Sequence, residues 1–195
     1  MDELIAGLAA HPWALAALAA VVFADAFLVV VPGEVAVTAL GTVAATQGLP
    51  PLWSVILVGG LAAFTGDVCC YLVGRLLHPR TWRILQRPGL QRGLDWAAGR
   101  LRTHMATAVF TARFIPFGRL AVNLSAGAAS VPALRYLPIA GAAALAWAAF
   151  QALAGAAVAS LVPGGTLPAV IISIAVALLV GWTIDLVLAR IRRAK

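Results

Sequence analysis

Charged side chains are scarce in this sequence, at 11% of 195 residues, whereas soluble domains carry about 25%. Hydrophobic residues make up 63%, and a chain of this length has too much surface to hide that much apolar area from water. Several apolar stretches have the roughly 20 residues with which an α-helix crosses a hydrocarbon core about 30 Å thick. The composition therefore excludes an ordinary soluble domain and predicts an all-α integral membrane protein, with one membrane domain over residues 1–195.

Cysteine is nearly absent as well, since the chain has only Cys69 and Cys70. Adjacent cysteines rarely form a disulfide with each other, and no spacing of metal ligands accompanies them. The sequence also lacks a nucleophile motif, a glycine-rich phosphate loop and a hydrolase-type carboxylate pair. We therefore expect no enzyme activity, no cofactor and no metal.

Basic residues are missing from the first part of the chain, because none precedes Arg75. Seven arginines then fall within the 75–104 loop, and four basic residues lie within 190–195. This clustering is typical of the positive-inside rule, so the net charge of +7 does not indicate nucleic-acid binding. It predicts a cytoplasmic interfacial loop at 75–104 and a cytoplasmic C-terminus.

Three apolar segments, 52–74, 136–162 and 167–189, are predicted to span the membrane completely. Whether residues 12–31 also cross completely is left open, so the sequence predicts about three to four full transmembrane helices and does not fix the side of the N-terminus. These segments alternate with two that are interrupted by proline and glycine.

The interrupted segments lie near 24–48, broken at Pro32 and Gly33, and near 105–130, broken at Pro116. Proline removes a backbone donor and disfavours helix before it, and bent backbone at membrane depth needs protein or a wet cavity around it. Each segment is therefore predicted to form a re-entrant helical hairpin. Opposed hairpins in two similar halves are typical of an inverted-repeat transporter with its site between them.

Five ionisable residues lie inside apolar segments, away from their ends: Asp25, Glu34, Asp67, Arg113 and Arg119. Each costs at least about 2.5–3.5 kcal/mol near the centre of a membrane helix, so these side chains should face one another or water. One interpretation is structural, with Glu34 paired to Arg119 and Asp25 paired to Arg113. The other is that they line a path for a polar solute.

The chemistry of these residues suggests separate roles. Arg113 and Arg119 lie on either side of a bend, and guanidinium groups bind phosphate through paired hydrogen bonds. Carboxyl groups in an apolar environment can bind and release protons near neutral pH. Asp67 shares a helical face with Tyr71 and precedes Arg75, so it is either a proton exit or a structural partner of Arg75.

The residue patterns resemble the DedA family, also called the VTT or SNARE-associated domain, over roughly residues 20–160. The resemblance rests on three motifs, with departures from the family pattern at Asp25, Asn123 and Ala140. The motifs are Thr111-Ala112-Arg113-Phe114-Ile115-Pro116-Phe117-Gly118-Arg119 followed by Ala126-Gly127, Gly66-Asp67 with Tyr71 and Gly74-Arg75, and Asp25 upstream of Pro32-Gly33-Glu34.

The resemblance implies two facing re-entrant hairpins and proton-dependent lipid transport in a bacterial plasma membrane. We expect a flippase for a lipid phosphate, above all undecaprenyl phosphate. The alternatives are a translocase for a phospholipid such as phosphatidylethanolamine, a proton-coupled small-ion transporter or osmoregulator, and a structural membrane protein. Homo-oligomerisation stays open. The expected phosphate ligands are Arg113, Arg119 and Asn123, the proton-responsive acids are Glu34, Asp25 and Asp67, and the supporting residues are Tyr71, Arg75, Pro32, Pro116, Gly33 and Gly127.

Overall fold

The computed structural model describes residues 11–28, 33–77, 88–89, 91–92, 99, 101, 104–113, 115, 117–162, 166 and 168–175. All regular secondary structure within these ranges is helical, as the composition predicts. The helices that position the site are α1 (Pro12–Asp25), α2 (Gly33–Gln47), α3 (Leu52–Leu77), α4 (Met105–Ala112), α5 (Gly118–Ala128) and α6 (Ala133–Leu161).

Helices α3 and α6 carry segments long and apolar enough to cross a membrane, Leu52–Leu76 and Ala133–Leu161. Large hydrophobic side chains are exposed on both helices: Trp53, Leu57, Leu61, Leu72, Leu76, Leu134, Phe150, Leu153 and Leu161. An apolar outer surface of this kind is unfavourable in water and suits a lipid environment.

The last predicted span, 167–189, is described only at its beginning, where residues 168–175 are helical. A hydrogen bond of 2.9 Å between Thr42 Oγ1 and Ser173 Oγ joins this helix to α2. The following predictions lie outside the described residues: those for Pro32, Pro116, residues 176–195 and most of the 75–104 loop.

The first interruption begins earlier than the sequence predicts, because α1 ends at Asp25 and not near Pro32. The backbone N–H groups of Ala26 and Phe27 bond to carbonyl groups three residues back, which tightens the last turn. The Asp25 side chain at this helix end is then available to the neighbouring helices.

The second interruption contains a sharp turn between α4 and α5. Phe117 has a φ of 60°, in the left-handed region, and α5 begins at the next residue, Gly118. A Cβ atom at Gly118 would lie 2.8 Å from Ile115 Cβ and 3.0 Å from the carbonyl oxygen of Ala112. Glycine is therefore required where the chain turns from α4 into α5.

The chain consists of two halves with the same order of elements. Each half has a helix, an interruption, a second short helix and a long helix, as α1–α2–α3 and α4–α5–α6. The short helix of each half packs against the long helix of the other, so that α2 lies on α6 and α5 lies on α3. Helices α3 and α6 also pack on each other, which joins the halves.

Glycines allow α3 and α5 to touch at their backbones. A Cβ atom on Gly74 would overlap the carbonyl group of Leu124, and one on Gly127 would overlap the carbonyl group of Tyr71. The contacts advance together along the two helices, from Ala63 with Arg119 through Asp67 with Asn123 to Tyr71 with Gly127, so α3 and α5 run parallel where they meet. This close approach brings the first turns of α5 against the middle of α3.

The same pair of contacts occurs between α2 and α6. A Cβ atom on Gly155 would overlap the carbonyl group of Thr38, and one on Gly41 would overlap that of Ala152. Gly155 lies as far from the start of α6 as Gly74 lies from the start of α3. The helix contacts of one half are thus repeated in the other.

The contact between α3 and α6 is also made by one glycine from each helix. A Cβ atom on Gly60 would meet the side chain of Leu145, and one on Gly141 would lie 3.7 Å from the ring of Phe64. Gly60 and Gly141 therefore each face a large side chain of the other long helix, and the order of these contacts makes the two helices antiparallel. The two halves are consequently inverted relative to each other along these helices.

Candidate functional site

Asp67, in the middle of α3, is the centre of a buried ionic cluster and is only 1% exposed. Its Oδ1 accepts hydrogen bonds from Arg119 Nε and Asn123 Nδ2, each at 2.7 Å, and its Oδ2 accepts one from Arg113 Nη2. Three residues that lie 46 to 56 positions away from Asp67 in the sequence therefore meet at its carboxylate.

The local folding of α4, α5 and α1 explains why these groups converge. Arg113 is the C-cap of α4, and Arg119 and Asn123 lie one turn apart in α5, on the face that α5 turns towards α3. Gly66 leaves room for the end of α1, because a Cβ atom there would press against Ala26. The C-terminal ends of α1 and α4 and the N-terminal end of α5 thus surround the middle of α3.

Arg119 bridges the two acidic residues of the cluster. Its Nη1 donates to Asp25 Oδ2 at 3.0 Å, and its Nη2 donates to the carbonyl oxygen of Ala63 at 2.8 Å. With Nε bound to Asp67, each of its three nitrogens has a partner. The side chains of Arg119 and Asp25 are each 13% exposed, so this end of the cluster is the more open one.

Arg113 is more deeply buried and less well satisfied. Its side chain is 3% exposed, and Nη2 contacts Asp67 and, at 3.5 Å, the carbonyl oxygen of Ala140. Nε and Nη1 have no hydrogen-bond partner among the described residues. A buried donor without a partner costs about 1–3 kcal/mol, and more when it is charged. These two nitrogens are the buried side-chain donors without a partner in that part of the chain.

The observed ion pairs differ from the pairs that the structural interpretation assumes. Arg119 pairs with Asp25 and Asp67, and Arg113 pairs with Asp67, so the pairing of Glu34 with Arg119 and of Asp25 with Arg113 is wrong. Arg119 reaches Asp67 on α3 because α5 packs against α3, and Arg113 reaches it from the end of α4.

Glu34 lies in the first turn of α2 and is partly buried. Its charge is close enough to Asp25 to interact with it electrostatically, and the Asp25 carboxylate also interacts with the backbone N–H of Gly33. No ion pair of Glu34 is found within the described residues. Two arginines and two aspartates make the hydrogen-bonded cluster neutral when all four are ionised, and Glu34 adds a negative charge beside it.

Asn123, expected to bind phosphate, has both ends of its amide engaged within the protein. Nδ2 donates to Asp67, and Oδ1 accepts a hydrogen bond from the hydroxyl of Tyr136 at 2.8 Å. Tyr136 is fully buried at the start of α6. No pattern in a single sequence indicates that it would reach Asn123 across the α5–α6 turn.

Tyr71 and Arg75 form a separate contact on the same face of α3. Arg75 Nη1 donates to the Tyr71 hydroxyl at 2.6 Å, and that hydroxyl donates to the carbonyl oxygen of Val131 at 2.6 Å. The Tyr71 ring stacks on the Tyr136 ring, with centroids 4.7 Å apart. Asp67 is therefore not the partner of Arg75, and Tyr71 adjoins the cluster without bonding to it.

The described part of the chain holds no group of three His, Cys, Asp or Glu side chains that could bind a metal ion. The cluster offers guanidinium N–H donors and carboxylate oxygens. An all-helical chain with two apolar helices, interrupted helices beside them and buried ionic side chains defines a membrane protein with a polar site in its interior.

A family model described as the VTT domain matches residues 31–157, which make up more than half of the chain. The chain belongs to the DedA family, whose domain this is. The predicted resemblance is thereby confirmed, and family membership together with the two apolar helices points to a membrane protein. The match includes Asp67, Arg113, Arg119 and Asn123, whereas Asp25 lies before it. No curated protein and no solved structure was found to match the chain.

Proposed function

We propose that this protein is a proton-coupled flippase for a lipid phosphate, with undecaprenyl phosphate as the leading substrate, in a bacterial plasma membrane. The observation that carries the proposal is the pair Arg113 and Arg119 at one buried carboxylate, with two nitrogens of Arg113 unpartnered among the described residues. Guanidinium groups are suited to phosphate oxygens by charge and by geometry. The substrate leaves the site chemically unchanged.

A phosphate group would enter as a competitor of the two aspartates. Asp67 and Asp25 occupy the arginine donors that face them, so an anion gains those donors only when the carboxylates withdraw. The hydrogen-bonded cluster is neutral, and adding an anion to it would bury uncompensated negative charge. Protonation of Asp67 and Asp25 removes that charge and frees the arginines together. Coupling to protons thus follows from charge balance.

The geometry of the short helices supports the re-entrant topology that the proposal includes. Helix α2 has 15 residues and α5 has 11, which correspond to about 23 Å and about 17 Å at 1.5 Å per residue. Both are shorter than a hydrocarbon core of about 30 Å. In the proposed topology, both enter the bilayer partway from opposite faces, and the lipid tail stays in the bilayer while the phosphate moves between the halves.

The proposal is tested by translocation in proteoliposomes. Undecaprenyl phosphate is incorporated, and its exposure to an added membrane-impermeant phosphatase is followed with and without a proton gradient. We expect the wild-type protein to accelerate movement between leaflets in the presence of the gradient, and Arg113→Gln and Arg119→Gln to abolish it. Arg135→Gln is the matched control, because Arg135 is exposed at the start of α6 and lies outside the cluster.

The alternatives predict different results in the same vesicles. Movement of phosphatidylethanolamine without movement of the lipid phosphate would identify a phospholipid translocase. Flux of a soluble cation without movement of either lipid would identify a small-ion transporter. Translocation of the lipid phosphate at the wild-type rate by both arginine variants would overturn the proposed mechanism.

A further inference from the structure

The amide of Asn123 is held in one of two orientations. Its Nδ2 donates to Asp67 Oδ1 at 2.7 Å, and its Oδ1 accepts the Tyr136 hydroxyl proton at 2.8 Å. An ionised carboxylate can only accept hydrogen bonds, so it requires the amide nitrogen on its side. The Tyr136 hydroxyl donates in this arrangement, and the amide oxygen on the other side accepts its proton. The two contacts therefore support each other.

The reversed orientation fits a protonated Asp67. A proton taken up from water would form an O–H bond at Asp67 Oδ1, and this group could then donate to Asn123 Oδ1 after the amide turns over. Asn123 Nδ2 would donate to the Tyr136 oxygen, and the Tyr136 hydroxyl would lose its present acceptor. The described contacts thus favour the ionised form of Asp67 through a donor on α6.

We propose that Tyr136 is a positioning residue that, through Asn123, holds Asp67 ionised and bound to both arginines until proton uptake turns the amide over. The role in transport rests on the proposed function, because release of Arg113 and Arg119 matters only if they bind the substrate. The effect on Asp67 itself stands without that function.

The surroundings of Asp67 indicate which other groups could have this effect. Asp25 faces the cluster from α1, Arg113 and Arg119 face it from α4 and α5, and Cys70 adjoins Asp67 on α3. Tyr136 is the titratable side chain that faces it from α6 within the described part of the chain. Of these groups, Tyr136 acts on Asp67 through the orientation of an amide.

Tyr71 provides a matched control for Tyr136. The two rings stack, and both residues are buried, but the Tyr71 hydroxyl bonds to Val131 and Arg75 and has no contact with Asn123. Replacing either tyrosine with phenylalanine removes one hydroxyl and keeps the stacked ring. A difference between the two variants therefore reports on the amide contact, not on packing.

The test is infrared difference spectroscopy, in which the spectrum of the wild type is subtracted from that of each variant. The purified full-length proteins are measured at neutral pH without lipid phosphate. We expect Tyr136→Phe to gain a carbonyl absorption of a protonated carboxyl group that the wild type and Tyr71→Phe lack. The absorption should vanish when Asp67→Asn is added and persist when Asp25→Asn is added instead. If Tyr136→Phe fails to fold, Asn123→Leu provides the same test. It removes the amide and keeps Tyr136, so it should gain the same absorption.

The proposal is overturned if neither Tyr136→Phe nor Asn123→Leu gains the absorption, or if Tyr71→Phe gains it equally. The outcome is distinguishable from a failure of the proposed function, because no substrate is present. If the absorption appears but the protein moves no lipid phosphate in vesicles, the positioning role stands and the proposed function is wrong.

Discussion

Arg113 and Asp67 form an ion pair in which the two side chains are only 3% and 1% exposed. Apolar residues of similar volume often stabilise a protein as well as a buried ion pair does, so stability alone gives little reason to keep this pair. Two nitrogens of Arg113 also have no partner among the described residues. Both features fit the binding role that we propose for Arg113.

Removing the charge of Asp67 should destabilise the protein more than removing that of Asp25. Asp67→Asn leaves two arginines without their shared carboxylate, and removal of one partner from a buried pair costs about 3–5 kcal/mol. Asp25 contacts one arginine at the more open end of the cluster, so Asp25→Asn should cost less. Thermal unfolding in detergent measures both. Equal melting temperatures for the two variants would contradict the central place of Asp67.

Replacing Arg119 with lysine should destabilise the protein. Arg119 uses three nitrogens to reach Asp67, Asp25 and the carbonyl oxygen of Ala63 at once, and a single ammonium group cannot span that arrangement. Each lost hydrogen bond to a charged group is worth about 1.5–3 kcal/mol. We expect Arg119→Lys to lower the melting temperature clearly.

Arg135→Lys serves as the control for this change, since Arg135 is exposed and outside the cluster. It should melt like the wild type. If Arg119→Lys and Arg135→Lys are equally stable, the bridging geometry of Arg119 contributes nothing measurable.

The contact between α3 and α5 should tolerate no side chain at Gly127. A Cβ atom there would overlap backbone atoms of Tyr71, so Gly127→Ala must separate the helices that carry Asp67 and Arg119. Overpacking of this kind typically costs about 1–3 kcal/mol. Gly141→Ala is the control, because its added carbon would make an ordinary contact of 3.7 Å with Phe64. Comparable stability of the two variants would refute the close approach.

The sequence predicts the elements of the fold better than it predicts their contacts. The apolar lengths locate α3 and α6, and the cost of burying charge is enough to single out four members of the cluster, Asp25, Asp67, Arg113 and Arg119. These inferences need only the local sequence and the chemistry of the bilayer. The end of α1 is less well predicted, because the helix ends at Asp25, before the proline at position 32 that marks the interruption in the sequence.

The partners of each charge could not be predicted, since they depend on which helices touch. Arg119 reaches Asp67 because α5 lies directly against α3 at Gly74 and Gly127, and Arg113 reaches it from the end of α4. Isolated glycines in an apolar segment do not indicate which helix will approach them. The contact between Tyr136 and Asn123 could not be predicted for the same reason, since it depends on how the helices pack.

The most direct test of the account is the affinity of a short-chain polyprenyl phosphate in detergent for the wild type and for Asp67→Asn, Asp25→Asn and Arg113→Gln. If Asp67 competes with phosphate for the arginines, Asp67→Asn should bind at least about tenfold more tightly, equivalent to about 1.4 kcal/mol, although it is less stable. Asp25→Asn should bind more tightly by a smaller factor, and Arg113→Gln should bind more weakly than the wild type. Binding by Asp67→Asn and Asp25→Asn that is unchanged or weaker would contradict the claim that these carboxylates hold the phosphate-binding arginines.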